Sequence, residues 1–277
     1  MILSFVELCK VIFLGIVEGI TEWLPISSTG HMLLVDEFLR LGADDEFKRM
    51  FFVVIQLGAI LAVVVLFWKK MWPFGRQDGR VCLKKQTVSI WFKVVVACIP
   101  GAVVALLFDD WIDAHLHTPV VIAMALIFYG AAFILIERWN KTRKPRINAL
   151  EDITYSVALQ IGLFQVLSII PGTSRSGATI IGALLIGVSR VAAAEFTFFL
   201  AVPVMFGLSA VKLYKFGLHF TGPELAILLC GMIVAFLVSL AVIRFLMNYI
   251  RRHDFQAFGL YRIGLGLILL LYFFVIK

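Results

Sequence analysis

The chain has 277 residues, 61% hydrophobic and 16% charged, with 25 Phe and a mean hydropathy of +0.99. A water-soluble domain carries about 25% charged and 45–50% apolar residues, so an ordinary soluble enzyme is excluded. The net charge of +7 does not point to nucleic acid, because the basic residues sit in short loops between apolar runs and form no continuous stripe.

A membrane-crossing helix needs ~20 apolar residues, whereas a transmembrane β-barrel alternates over ~10-residue strands. The runs here are of the first kind, which predicts an all-α integral membrane protein. In chain order, the opening region 1–35 is broken near its middle by LPISSTGH. Its first residues, MILSFVELCK, lack the basic start and cleavage site of a signal peptide, so the N-terminus is expected to be retained. Three spans are predicted at 50–68, 88–108 and 119–136. A second broken region, 153–189, carries IPGTSRSG. Spans at 191–211, containing Glu195 and Pro203, and at 225–243 and 258–276 complete the chain. Each half of a broken region is short for a crossing, which is the pattern of a re-entrant pair of half-helices. Cys9, Cys98 and Cys230 lie in apolar stretches and Cys82 in a basic loop, with neither metal nor disulfide spacing.

Loop charge gives the orientation. The loops 69–87, 137–152 and 244–254 hold fourteen Lys and Arg and read as cytoplasmic; 36–49, 109–118 and 212–223 hold five and read as external. If each broken region enters and leaves by one face, three spans follow each, and an odd number turns the second half upside down. Aligning Pro25 with Pro171 sets LPISSTGHMLLV beside IPGTSRSGATII, which agree in punctuation more than in identity. The prediction is one membrane domain with six transmembrane helices and two re-entrant pairs, as inverted-topology repeats 1–147 and 148–277. Irregular backbone at membrane depth requires protein or a water-filled cavity around it, so both breaks are expected to line one cavity.

Several polar residues in these breaks could carry chemistry. Glu18 and Glu22 stand at i and i+4, one turn apart on one helix face. Carboxylates within apolar helices are costly and rarely face lipid. Such a pair could snorkel, share a proton, orient a base or hold a divalent cation. His31 follows Ser27, Ser28, Thr29 and Gly30. A lone His is more often a satisfied core residue, but here a hydroxyl, an imidazole and a carboxylate lie close together, the parts of an activated nucleophile. Ser28 is the preferred hydroxyl, with Ser27 and Thr29 left open. In the second break, Gly172, Thr173, Ser174, Ser176 and Gly177 surround Arg175 just before an apolar helix. Glycine-rich turns into a helix start suit phosphate oxygens, and Arg175 adds a planar fork. The bland alternative pairs Arg175 with Glu195 or Glu22. Gln56, Lys93, Arg190, Glu195 and Arg262 could face the interior or serve as helix contacts. Trp68, Trp72, Trp91, Trp111 and Trp139 suit interfacial belts.

An anion cradle, a cation site and an activated hydroxyl in one lipid-accessible cavity suit hydrolysis of a phosphate anhydride on a lipid. No GxxxxGK[ST] loop is present, which argues against ATP-driven work. EGITEWLPISSTGH, from Glu18 to His31, and PGTSRSG, from Pro171 to Gly177, resemble the two signature motifs of the undecaprenyl-diphosphate phosphatase family, associated with bacitracin resistance. The resemblance runs essentially the full length, including IQLGAI around Gln56 and YRIG around Arg262. It implies removal of the terminal phosphate of undecaprenyl diphosphate, recycling the carrier for peptidoglycan synthesis, in the bacterial plasma membrane with the site facing the periplasm. It also implies catalytic roles for Glu18, Glu22, Ser28, His31 and Arg175. Ser27, Thr29 and the Gly172–Gly177 segment would bind substrate, and Glu18 with Glu22 would bind Mg²⁺ or Ca²⁺. Under this reading Glu22 orients His31, and His31 activates Ser28 or accepts the phosphate itself. The expected partners are a polyprenyl diphosphate and membrane lipids, with no nucleic acid and a homodimer left open. Type-2 phosphatidic-acid phosphatases pair similar elements but require His six residues after the Arg, where this chain has Ile181. The rival from another class is a polyprenyl-phosphate transporter or flippase, which needs binding groups but no nucleophile and base.

Overall fold

The computed structural model describes residues 4–77, 80–217 and 219–276. Residues 1–3, on which the expectation of a retained N-terminus falls, lie outside the described residues, as do the side chains of Asp109, Asp110 and Asp113 in the predicted external loop. The chain opens with α1 (Phe5–Thr21), started by Ser4, whose hydroxyl accepts from the Glu7 amide. A turn over the first break leads to α2 (Ser28–Phe38). Next come α3 (Asp45–Val54), capped by Asp44, α4 (Gln56–Leu66) and the single turn α5 (Trp68–Met71). A short hairpin of β1 (Phe74–Gln77) and β2 (Arg80–Leu83) follows. Then come α6 (Lys85–His115), α7 (Pro119–Asn140), α8 (Tyr155–Val166) and α9 (Arg175–Ile186). The chain ends with α10 (Arg190–Phe216), α11 (Gly222–Tyr249) and α12 (Gln256–Leu271), the last continuing as a π-helical turn over Tyr272–Ile276.

Among the described residues six helical segments are long and apolar enough to cross a membrane: Asp45–Leu66, Lys85–Phe108, Pro119–Asn140, Arg190–Phe216, Gly222–Tyr249 and Gln256–Val275. They coincide with the six predicted spans, and the protein is an all-α, multi-pass membrane protein. Three details differ from the sequence reading. The first span is two helices meeting at Ile55. The external loop predicted from Asp109 is helical as far as His115, because nothing in the sequence from Asp109 to His115 breaks a helix. The basic loop 69–87 contains the β-hairpin, which its charge obscured.

The helices pack closely through small residues, as helices in lipid must when no water drives them together. α1 lies along α11, α8 along α6, and α7 along α12. A Cβ on Gly162 of α8 would sit 2.3 Å from the Ala97 carbonyl oxygen of α6, so only glycine permits that approach. The core gathers Trp23, Phe133, Phe196, Phe198, Phe199 and Phe255, all fully buried. Outward aliphatic and aromatic groups such as Phe92, Val95, Ile99 and Leu106 on α6 are exposed, as expected of a lipid-facing side.

Ion pairs tie the helix ends. Arg190 grips the buried Glu137 carboxylate at 2.6 and 2.9 Å, and Glu137 also accepts from the Phe255 amide at 3.0 Å. Glu195 pairs with Lys70 at 2.7 Å, which removes it as a partner for Arg175. Lys93 donates to the Glu151 carbonyl.

Candidate active site

The two breaks are built alike. Ser27 precedes α2 with φ 74°, and Ser174 precedes α9 with φ 70°; among the described residues these are the only non-glycine positive-φ positions. Each hydroxyl accepts from the amide three residues on, Gly30 at 3.3 Å and Gly177 at 3.2 Å. Serine suits such a start because its oxygen satisfies one of the amides that a helix cannot satisfy itself. Strained backbone of this kind persists where surrounding structure over-determines it, which is common at functional sites. The equivalence fixes a register. Ser174 matches Ser27, one residue further along than aligning the prolines puts it, so Arg175 is the counterpart of Ser28. Both are the first residue of a helix, where unpaired amides and the helix dipole favour an anion.

Glu22 joins these two helix starts. Its Oε2 accepts from the Ser28 hydroxyl at 3.0 Å, and its Oε1 accepts from Arg175 Nη2 at 2.8 Å. Its backbone carbonyl accepts from the Ser176 hydroxyl at 3.3 Å, and Ser176 lies 3.1 Å from the Ser174 hydroxyl. The carboxylate and guanidinium are 8% and 12% exposed. Buried ion pairs add little net stability over apolar packing, so fold stability alone gives no reason for one here. Arg175 Nη1 is buried without a partner, leaving half of the fork unspent.

His31 stands one turn into α2. Its Nδ1 lies 2.7 Å from the Ser27 carbonyl and its Nε2 2.7 Å from the Tyr261 hydroxyl. A carbonyl can only accept, so Nδ1 carries the proton and Nε2 presents a lone pair to the Tyr261 hydroxyl, which donates. The His31 and Tyr261 rings lie parallel, with centroids 5.6 Å apart. The expected contact between Glu22 and His31 is not formed. Ser28 bonds to Glu22, and His31 is oriented by Ser27 and Tyr261 instead. The i and i+9 spacing on either side of a break carried no information about which group would turn toward Ser28.

Glu18 is fully buried one turn before Glu22, with Oε1 unpartnered. Two adjacent carboxylates of which one is unsatisfied call for a proton or a cation. Among the described residues no group of three His, Cys, Asp or Glu could form a protein-built metal cage. The pair does fit the mode in which one or two carboxylates hold a divalent ion together with phosphate oxygens.

The remaining predicted residues divide between lining and support. Thr29 is exposed and Thr173 buried. Gly172 has φ +92°, and a Cβ there would meet the Ile122 carbonyl oxygen of α7 at 2.5 Å, so both conformation and space demand glycine. Gly177 lies over Arg262, whose Nη1 would be 3.1 Å from its Cβ.

Two residues here were not foreseen in these roles. Arg262 is fully buried and donates to the carbonyls of Pro25 at 3.1 Å and of Gly172 and Thr173 at 2.9 Å each. One guanidinium therefore clasps both breaks. Its charge in an apolar helix was the available signal, but spacing could not distinguish this from an ordinary helix contact. Tyr261, though part of the YRIG motif, gave no sign of this role, since an aromatic in an apolar helix reads as lipid-facing.

A family model for the bacitracin resistance protein BacA matches residues 11–268. An undecaprenyl-diphosphatase of Enterococcus faecalis is 68% identical over 98% of this chain and 99% of its own length. Undecaprenyl-diphosphatases of Desulfitobacterium hafniense and Lachnoclostridium phytofermentans are 61% and 59% identical, each over at least 98% of both chains. With motifs, span order and full-length similarity in agreement, the chain belongs to the bacitracin resistance protein BacA family.

Proposed function

We infer that the chain is an undecaprenyl-diphosphatase of the bacterial plasma membrane, hydrolysing undecaprenyl diphosphate to undecaprenyl phosphate and inorganic phosphate. The observation that carries the inference toward particular residues is the junction at Glu22, where one carboxylate holds a serine hydroxyl from one break and an arginine from the other. Phosphoryl transfer requires mainly positioning and charge stabilisation, and these groups supply both.

In the proposed reaction, Arg175 and the first amides of α2 and α9 receive the terminal phosphate and its developing charge. Ser28 attacks phosphorus while Glu22 takes its proton; the anhydride bond breaks, and the lipid leaves as its monophosphate. Water then attacks the phosphoserine, its proton passing to His31 Nε2 through the Tyr261 hydroxyl, which gives up its own proton to that nitrogen. The water oxygen ends on inorganic phosphate, and the Ser28 hydroxyl is restored with the proton held by Glu22. Glu18 and Glu22 would hold a Mg²⁺ or Ca²⁺ that neutralises the pyrophosphate when bound.

The matching helix starts, and the exchange of partners in which α1 lies along α11 and α8 along α6, support the reading of 1–147 and 148–277 as inverted repeats. Loop charge supports a site open to the periplasmic side. The test is phosphate release from undecaprenyl diphosphate by the purified chain in detergent. The parent is expected to turn over, and Glu22→Gln and His31→Ala to lose activity while eluting as folded protein. A parent that binds the lipid but releases no phosphate would overturn the assignment in favour of transport.

A further inference from the structure

A cleft of about 940 Å³ opens at the far end of α9 from Arg175. At 1.5 Å per residue, α9 separates the two by roughly 17 Å, so the cleft is distinct from the candidate active site. Six cations line it: Lys141, Arg143, Lys144, Arg146, Arg190 and Arg251. Among the described residues the single carboxylate in the lining, Glu137, is already taken by Arg190 and by the Phe255 amide. Three helices, α7, α9 and α11, end here, and each C-terminus contributes roughly half a negative charge. Those partial charges and Glu137 fall well short of six cations, leaving a strongly positive cavity.

The wall is anchored rather than loose. Ile147 and Val188 form a parallel bridge, the Arg146 amide donates to the Gly187 carbonyl at 2.8 Å, and the Ser189 amide donates to the Ile147 carbonyl at 2.8 Å. Asn140 Nδ2 donates to the Leu184 carbonyl at 3.1 Å, tying the end of α7 to the end of α9. Arg143 stacks over Trp139 at 3.7 Å, and Trp139 is exposed, as suits a ring at the headgroup level. The lining is also aliphatic in part, with Leu185, Ile186 and Val191 beside the cations.

We propose that this cleft binds the phosphate of an anionic lipid headgroup. The cations suit a phosphate diester, the arginines as bidentate forks and the lysines as point charges. The aliphatic part of the lining suits the first carbons of a lipid and offers nothing to a free anion. Basic pockets between helix ends on the cytoplasmic side are a known physical solution to headgroup capture, and the loops involved are those read as cytoplasmic. The proposal does not depend on the phosphatase reading.

The test reconstitutes the full chain in nanodiscs of equal parts phosphatidylcholine and phosphatidylglycerol and counts retained lipid by native mass spectrometry. The parent is expected to retain phosphatidylglycerol in preference. The triple change Lys144→Ala, Arg146→Ala, Arg251→Ala should weaken that retention by roughly a hundredfold. The charge-keeping triple Lys144→Arg, Arg146→Lys, Arg251→Lys should restore it, which separates loss of the site from misfolding. Equal retention of both lipids by the parent, or an unchanged preference in the alanine triple, overturns the proposal. Inorganic phosphate that binds the parent by calorimetry while phosphatidylglycerol is not retained overturns the lipid assignment.

Discussion

At the scale of the residue, the candidate site depends on a few polar contacts between distant parts of the chain. Removing the guanidinium in Arg175→Ala strips the phosphate of its fixed cation, and turnover of undecaprenyl diphosphate should fall by about 100-fold or more. Arg175→Lys, which keeps the charge without the fork, should recover only part of it. Tyr261→Phe deletes the hydroxyl that holds His31 Nε2. Partners that orient a functional His are commonly worth roughly tenfold or more, so kcat should drop by about tenfold with KM little changed, and the pH profile governed by His31 should shift. Unaltered kcat and pH profile would exclude Tyr261 from the site. Glu18, Glu22, Ser28, His31 and Arg175 stand out in the sequence because charges and hydroxyls in apolar stretches are conspicuous. Their partners do not. Whether Arg175 meets Glu22 or Glu195 is a matter of three-dimensional packing, and Lys70, which claims Glu195, belongs to the basic stretch 69–87, whose charge reads only as topology.

At the scale of the element, the breaks are where backbone conformation decides the outcome. Gly172→Ala places a methyl group against the Ile122 carbonyl at a φ that L-residues avoid. The backbone term alone is worth about 1 kcal/mol, and displacement of α7 adds to it. We expect a lowered Tm in detergent together with lost turnover, whereas Gly207→Ala, where no atom lies within 4 Å, should alter neither appreciably. The six spans were readable from apolar length, as lipid tolerates little else. The ends were less so: α6 continues to His115 past three Asp residues, because water beyond the membrane accepts a charged helix as readily as a charged loop. The register of the second break also escaped, since proline draws the eye while the positive-φ serine sets the helix start.

At the scale of the whole molecule, two properties are directly measurable. The first is sidedness. In a background lacking the native cysteines, a membrane-impermeant maleimide should label Asp44→Cys on intact cells and reach Lys144→Cys only after the membrane is opened; the reverse pattern would invert the orientation inferred from loop charge. The second is cohesion. Arg262→Met leaves three buried carbonyls without their shared donor, each costing about 1–3 kcal/mol, so a large drop in Tm is expected even though Arg262 touches none of the proposed reacting groups. The same clasp restricts how the protein can move. A rocker mechanism, in which one half swings away from the other to expose a site alternately to each compartment, would pull Arg262, held within 148–277 by Gly172 and Thr173, off the Pro25 carbonyl of 1–147. A greasy polyprenyl tail that slips in sideways between helices would leave that pin undisturbed.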